Sequence, residues 1–320
     1  MLFFPLFFLC FRQELGQKAY LKIFKGFLLS LTTVCVLSIS KQLYSILADN
    51  QGLTALMQNS LSTSVIDNYF LGFSLLLSFS LITYTYIKQF KTRIRLFGSN
   101  TLEIIVVLIL AVTLLLLNSR NLIFLTAFAV GLIFLSKSIL RKKPSFFIKM
   151  FLLLIGIIGA NYYANPFFEE KMKEVVNYDQ EMNTDRYWGG MRKSIWDCAI
   201  KVVEGDPIIG VGIGDQKDQL ELCYSIYMHN RLLVEGDNFN AHNIFLQVLL
   251  GTGLIGLALF LLSFFYMTKK AICSKNMYYL IFIGVFIFAG LTESYFERNL
   301  TVVFFSFYNC LSFFAKSNFS

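Results

Sequence analysis

Two arginines and one histidine stand where their side chains could do chemistry. Arg120 lies in a tight turn between two uncharged apolar segments, where it either anchors the chain at a membrane interface or binds an anion. His242 lies where a polar segment meets the next apolar run, and an imidazole there is either structural or a proton acceptor near neutral pH. Arg192 lies in an acid-rich segment, so a solvated ion pair is the alternative to a binding role.

The composition indicates which kind of scaffold must position these residues. Of the 320 residues, 56% are apolar and 15% are charged, whereas a water-soluble domain carries about 25% charged residues. An aromatic content of 17% with only 4 prolines also excludes disordered, collagen-like and coiled-coil chains. The sequence therefore predicts a polytopic membrane protein.

The net charge of +8 is unevenly distributed along the chain. Residues 164–241 hold 8 basic and 14 acidic side chains, net −6, and the rest of the chain holds 20 basic and 6 acidic ones, net +14. Because membrane proteins collect basic residues in their cytoplasmic loops, this excess does not indicate nucleic acid. It predicts a membrane body with one acidic, soluble insertion.

Eight apolar runs are long enough to cross about 30 Å of hydrocarbon. They lie near 24–42, 67–87, 101–118, 121–138, 147–163, 244–267, 277–295 and 299–315. Basic clusters alternate between them, and the positive-inside rule places these clusters and the C-terminus in the cytoplasm and the insertion outside. Residues 1–11 form half a span, which suggests a partial ninth helix whose start is missing.

The predicted fold is therefore an all-α membrane helix bundle with one large periplasmic loop. Residues 1–163 form the partial span and five complete spans, residues 164–241 the loop, and residues 242–320 three further spans. Helical periodicity from about Gly190 to Glu204 predicts an amphipathic helix along the outer membrane surface, with Trp196 at the interface. A second helix is predicted from about Gln216 to Val234.

Several motifs are better explained by structure than by chemistry. Gly251, Gly253 and Gly256 match a dinucleotide-binding pattern but lie inside an apolar span, where small residues let helices approach closely. Gly210, Gly212 and Gly214 could form a phosphate-binding nest, although a plain glycine-rich turn is favoured. With only two histidines and no paired cysteines beside them, the sequence predicts no metal site and no cofactor.

The six cysteines are scattered along the chain, and four of them lie at or in spans as apolar filler: Cys10, Cys35, Cys273 and Cys310. Cys198 and Cys223 both fall in the outer insertion, where oxidation is possible. Without a CxxC spacing the sequence does not favour a disulfide between them, and the pairing stays open.

Taken in order, four segments resemble the bacterial O-antigen ligase and O-antigen polymerase superfamily. They are Ser119-Arg120 at an outward turn, Arg192 four residues before Trp196, PIIGVG at 207–212, and AHNIFLQVLLGTGLIG at 241–256. The similarity covers about residue 67 to the C-terminus. Family members usually have more helices before the region matching residue 20. A glycine commonly precedes the loop arginine, where this chain has Met191, so Arg186 keeps a minor claim to that role.

The resemblance implies inverting, metal-independent transfer of a glycan from an undecaprenyl-pyrophosphate carrier to a hydroxyl acceptor at the periplasmic face of the bacterial inner membrane. Lipid A-core is the expected acceptor, which would place the enzyme in lipopolysaccharide biosynthesis; membrane lipids are further partners, and nucleic acid is not. On this hypothesis Arg120 and Arg192 clamp the pyrophosphate by bidentate hydrogen bonds while His242 activates the acceptor. Arg186, Asn243 and Glu293 are weaker substrate-binding candidates. Glu293 could orient His242 or the acceptor, although a pair with Arg298 or water is favoured.

Other functions remain open at this stage. A polysaccharide polymerase or a protein O-oligosaccharyltransferase could use the same three residues with another acceptor. A lipid-linked glycan flippase is an alternative of another class, but such transporters usually carry internal repeats and ionisable pairs near the membrane midplane. The sequence shows neither feature, and an inactive structural member is the remaining alternative.

Overall fold

The computed structural model describes residues 17–50, 61, 66–92, 100–141, 188–227 and 240–315, together with residues 4, 8, 10, 156 and 159. These parts of the chain contain α-helices and one short 3-10 helix, and they contain no strand. The helices are α1 (Gln17–Ala48), α2 (Asn68–Thr92), α3 (Asn100–Leu116), α4 (Arg120–Arg141), α5 (Trp188–Gly205), α6 (Gln216–Tyr227), α7 (Ile244–Cys273), α8 (Met277–Gly290), the 3-10 helix Tyr295–Glu297, and α9 (Asn299–Phe314). The predicted all-α class is confirmed for these residues.

Seven of these helices lie where the sequence predicts membrane spans. Within the described residues, three are long and apolar enough to cross a membrane: Ala19–Ala48, Asn68–Ile87 and Ile244–Cys273. Four shorter apolar helices cover Thr101–Leu116, Asn121–Ile133, Met277–Gly290 and Asn299–Phe314. Most of the predicted span 147–163 and most of 1–11 lie outside the described residues, so the count of eight spans stays a prediction.

The chain divides into two compact units whose boundaries differ from the three predicted segments. The first unit comprises Met1–Met172, Ser274–Val285 and Phe304–Ser320. The second comprises Lys173–Cys273 and Phe286–Val303, so it joins the predicted loop to the whole of α7 and to the segment between α8 and α9. Every described residue of the candidate site except Arg120 belongs to this second unit.

In the first unit, α2 packs against α4 and α1 against α3. A buried tyrosine cluster adds to this core: the Tyr20 and Tyr308 hydroxyls hydrogen-bond to each other, and the Tyr84 and Tyr278 rings meet edge to face at 5.0 Å. The chain reverses direction after α3 through Asn118, whose φ of +50° lies in the left-handed region that asparagine tolerates. Helix α4 then begins at Arg120.

The second unit has its own apolar core, in which α5 and α6 pack against the first turns of α7. Its buried members are Ile195, Cys198, Ala199, Leu220, Cys223, Tyr224 and Leu250. Cys198 and Cys223 form a disulfide between α5 and α6, a pairing that the sequence does not favour. Helix packing brings their Cα atoms to 5.8 Å, which is within the normal range for a disulfide, although 25 positions separate them in sequence. Burial in the same core raises the pKa of the Tyr224 hydroxyl above its ordinary value.

Helix α7 is interrupted at Gly253, whose φ of 62° and ψ of −166° are not helical. The segment 207–212 inserts into the gap and takes over the hydrogen bonds that the helix loses. The amides of Leu254 and Ile255 donate to the carbonyls of Pro207 and Ile208, at 2.9 and 3.3 Å. In return, the amides of Val211 and Gly212 donate to the carbonyls of Leu250 and Gly251, at 3.0 and 3.1 Å. All four helix groups that the break would leave unpaired are therefore satisfied.

Two glycines make this close approach possible. A Cβ on Gly253 would lie 2.3 Å from the carbonyl carbon and oxygen of Ile208, and one on Gly210 would lie 2.6 Å from the amide nitrogen of Gly253. Both glycines also have positive φ, at +62° and +70°, where a side chain is disfavoured. Only glycine at both positions lets the two backbones pair.

The structure corrects the expectation for Gly253 and decides between the two alternatives for Gly210 and Gly212. Gly253 does not mediate close helix packing as expected, because it contacts the inserted loop and breaks its own helix. The phosphate-binding nest is also excluded at Gly210 and Gly212, because the Gly210 amide donates to Asp206 and the Gly212 amide to Gly251. The glycine-rich turn that the sequence favours over a phosphate site therefore has a structural role, which is to pair with the break in α7. The predicted helices near 190–204 and 216–234 correspond to α5 and α6, and residues 228–239 lie outside the described part.

The inserted loop leads to a first prediction. Gly253→Ala should destabilise the protein by at least about 1–3 kcal/mol, the usual cost of holding a side chain in such a backbone conformation, with the clash against Ile208 added. Thermal unfolding of the purified protein, followed by loss of the monodisperse peak in size-exclusion chromatography, measures the change. Gly214→Ala is the matched control, because a Cβ there meets nothing within 4 Å. Equal stability of the two variants would contradict the role of Gly253.

Candidate functional site

His242 lies on the last connection before α7, in an unusual backbone conformation. Its φ is +43°, and its amide donates to the Oδ1 atom of Asn240 at 2.9 Å, which closes a local turn. The imidazole is mostly buried, with 14% of the side chain exposed. Because a left-handed residue before a helix redirects its side chain, this turn sets where the imidazole lies.

The imidazole of His242 contacts a buried carboxylate. Its Nδ1 atom lies 3.1 Å from Oε2 of Glu293, a residue that is 3% exposed. A carboxylate only accepts hydrogen bonds when ionised, so this contact favours the tautomer with a proton on Nδ1 and a lone pair on Nε2. The other carboxylate oxygen, Oε1, is buried and has no hydrogen-bond partner in the described structure. Glu293 therefore contacts His242, whereas its pair with Arg298, one of the two partners that the sequence favours, is absent among the described residues; a substrate-binding role of Glu293 stays a prediction.

Asn243 caps α7 and ties it to the segment after α8. Its Oδ1 atom accepts from the amides of Phe245 and Leu246, at 2.9 and 3.1 Å. Its own amide donates to Oγ of Ser294 at 3.2 Å, and its Nδ2 donates to the carbonyl of Leu291 at 3.3 Å. These bonds give Asn243 a structural role, and substrate binding by this residue stays a prediction.

A buried polar network holds the two residues that precede His242. Oε1 of Gln247 accepts from the amide of Ala241 at 2.7 Å, while its Nε2 donates to Glu297 at 2.6 Å and to Gln216 at 2.5 Å. The second oxygen of Glu297 accepts from Nδ2 of Asn240 at 2.9 Å. Residues from α6, α7 and the 3-10 helix therefore fix the backbone beside His242.

Arg192 lies on α5, one helical turn before Trp196. The indole nitrogen of Trp196 donates to the carbonyl of Ala241 at 2.9 Å, directly beside His242. Residues four apart on a helix lie on the same face, so α5 presents Arg192 on the face that contacts this connection. Arg192 is half-buried and forms no ion pair or hydrogen bond with any residue that the structure describes. The solvated ion pair that is the alternative role of Arg192 is therefore absent among the residues that the structure describes.

The remaining predicted site residues are less well defined. The backbone of Arg120 begins α4, after the turn at Asn118, and its side chain lies outside the described part of the chain. Arg186 lies outside it altogether. The structure thus brings together His242, Glu293 and Asn243. It places Arg192 one helical turn before Trp196, which donates to the residue preceding His242, and convergence with Arg120 stays a prediction.

Sequence reasoning missed the polar residues that support His242. Gln247 is the single polar side chain in the run IFLQVLL, and Glu297 lies four residues after Glu293 between two apolar segments. An isolated amide and an isolated carboxylate beside apolar runs are signals of a buried network, because each needs a partner. Their mutual contact was not readable, because 50 residues separate them.

Comparison with known families identifies one match. Residues 105–261 match the family model described as O-antigen ligase. None of the curated proteins searched matches the chain. The matched region contains Arg120, Arg192 and His242, whereas Glu293 and Glu297 lie beyond it.

The contact of Glu293 with Nδ1 leads to a second prediction. The chain has only two histidines, so His229→Gln leaves a single imidazole whose ¹⁵N resonances can be read directly in nanodiscs. At a pH where the ring is neutral, we expect Nδ1 to be protonated and Nε2 not. Glu293→Gln should shift the population toward the other tautomer, since the amide can donate to Nδ1, and Glu204→Gln, at an exposed carboxylate on α5, is the matched control. Identical tautomer populations in all variants would contradict the orienting role of Glu293.

Proposed function

Because this chain belongs to the O-antigen ligase and polymerase superfamily, we propose that it transfers a glycan from undecaprenyl pyrophosphate to a hydroxyl acceptor, with lipid A-core as the acceptor. The observation that carries the proposal is the His242–Glu293 pair at 3.1 Å, held in place by bonds to the residues on either side of His242. A histidine oriented by a carboxylate is an arrangement suited to taking a proton from a hydroxyl.

The proposed reaction is a single displacement at the anomeric carbon of the donor sugar. The acceptor oxygen bonds to that carbon as the bond from the carbon to the pyrophosphate oxygen breaks, so the configuration inverts. The hydroxyl proton passes to Nε2 of His242, and the electron pair of the broken bond leaves with the pyrophosphate. Glu293 holds Nδ1–H and stabilises the imidazolium that forms.

Arg192 and Arg120 would stabilise the leaving group. Negative charge increases on the pyrophosphate as the bond breaks, and a guanidinium stays charged at any physiological pH and binds phosphate oxygens in a bidentate manner. Arg192 is suited to this role because it is half-buried and unpaired within the described residues. Arg120 enters the proposal through its place at the start of α4 and through the superfamily resemblance.

The disulfide supports the proposed location of this site. Cys198 and Cys223 pair within the second unit, and such bonds persist in oxidising compartments rather than in the cytosol. The positive-inside rule places the same segment outside the cytoplasm. The two arguments are independent, and both favour an active face on the periplasmic side of the inner membrane.

The mechanism leads to a third prediction. Arg120→Ala and Arg192→Ala should each lower the transfer rate by about 10²–10³, by analogy with the loss of an oxyanion donor. His242→Ala should lower it by about 10²–10⁴, the usual contribution of a general base. The measurement is single-turnover transfer from a purified lipid-linked donor to a purified acceptor in proteoliposomes.

Lys193→Ala is the matched control for Arg192, because it removes an exposed cation from the adjacent position on α5. Arg192→Lys tests the bidentate bond and should recover only part of the rate. Transfer within twofold of the parent in a correctly inserted Arg120, Arg192 or His242 variant would remove that residue from the mechanism.

The choice of acceptor leads to a fourth prediction. Deletion of the gene should abolish polymer on lipid A-core while lipid-linked polymer accumulates, as seen on a glycan gel. A core decorated with a single repeat would instead identify a polymerase. An unchanged core with unglycosylated protein would identify transfer to protein side chains.

A further inference from the structure

The loop between α5 and α6, residues 207–214, carries three highly exposed apolar side chains. Residues 207–214 contain no charge and are bounded by Asp206 and Asp215. Within them, Ile208, Ile209 and Ile213 are 60%, 68% and 76% exposed. Large β-branched residues are rarely so exposed together in contact with water, so a partner of apolar chemistry is required.

The same loop is continuous with the apolar surface of α7. Its carbonyls at Pro207 and Ile208 accept from Leu254 and Ile255, whose side chains are 56% and 55% exposed. The exposed apolar surface then runs on along the helix: Leu259, Leu261, Leu262, Phe265 and Tyr266. On a helix long and apolar enough to span a membrane, such a surface faces lipid.

The position of the break along α7 sets the depth of the loop. Residues 254–268 are uncharged, and Lys269 is the first charged residue after the break. A helix needs about 20 residues to cross the hydrocarbon core, so these 15 residues do not reach across it. The flexible side chain of Lys269 lets its ammonium group reach the cytoplasmic headgroups from only a few Å inside the hydrocarbon, so it does not make up the missing length. Gly253 therefore lies at or inside the outer border of the hydrocarbon, and the loop paired to it lies at the same depth.

We propose that residues 207–214 dip into the outer leaflet, where Ile208, Ile209 and Ile213 contact the acyl chains of bilayer lipids. Asp206 and Asp215 remain at the level of the headgroups. The occupant is bulk lipid, because the patch is continuous with the lipid-facing side of α7. This inference goes beyond the proposed function and does not require the protein to be an enzyme.

The entry of residues 207–214 into the leaflet also fixes the level of His242 relative to the membrane. Residues 244–252 form the part of α7 above the break, which is about 14 Å of helix at 1.5 Å per residue. A loop held in the leaflet at Gly253 therefore holds the His242–Glu293 pair in the headgroup region. That is the level at which the polar part of a membrane-anchored substrate lies.

Spin labels at single cysteines test the fifth prediction. The four free cysteines (Cys10, Cys35, Cys273 and Cys310) are replaced by serine, and the Cys198–Cys223 disulfide is retained because it does not react with the label. Labels are placed at Ile209→Cys and Ile213→Cys in nanodiscs of phosphatidylethanolamine and phosphatidylglycerol. Leu259→Cys serves as the lipid control and Lys217→Cys as the aqueous control, since both positions are exposed.

Collision with oxygen and with a water-soluble nickel chelate distinguishes lipid from water. We expect the labels at 209 and 213 to collide more with oxygen than with the chelate, as at 259, and the label at 217 to show the reverse. Nickel accessibility at 209 and 213 equal to that at 217 would overturn the proposal. Because the readout is independent of transfer, a failure of the proposed function would leave this result unaffected.

Discussion

The backbone pairing between segment 207–212 and the break in α7 is the interaction on which the second unit depends. A helix interrupted at membrane depth would leave two amides and two carbonyls unpaired in an apolar environment, and each would cost several kcal/mol. The inserted segment satisfies all four. Because a Cβ at Gly253 or Gly210 would clash with the opposite backbone, these two glycines permit the break in α7 and its pairing with the segment.

The break gives the two parts of α7 different surroundings. Beyond Gly253 the helix exposes leucines and aromatics, as a lipid-facing span does. Before Gly253 it contributes Leu250 to the core with α5 and α6, and Gln247 to the polar network beside His242. The disulfide joins the other two helices of that core. One residue thus separates a membrane anchor from the scaffold that carries the candidate site.

Much of this organisation follows from the sequence. Apolar runs predict the helices α1 to α4 and α7 to α9, and the charge asymmetry separates a basic membrane body from an acidic insertion. Residue types single out Arg120 and His242, because a cation or an imidazole beside an apolar run is costly without a partner, and the order of the family motifs adds Arg192. The sequence does not predict the disulfide, the break at Gly253 or the network of Gln247, Gln216 and Glu297. Each depends on residues that are distant in the chain.

Sequence alone determined the class of the protein, its helices and the residues able to do phosphate and proton chemistry, since periodicity and charge act over one or two helical turns. Only the tertiary structure decided which of these residues contact one another. Glu293 contacts His242 rather than Arg298, Gly253 of α7 contacts a loop rather than a helix, and Asn243 caps α7. The physical reason is that these contacts are selected by the need to pair buried polar groups, and packing, not sequence spacing, determines which groups are buried together.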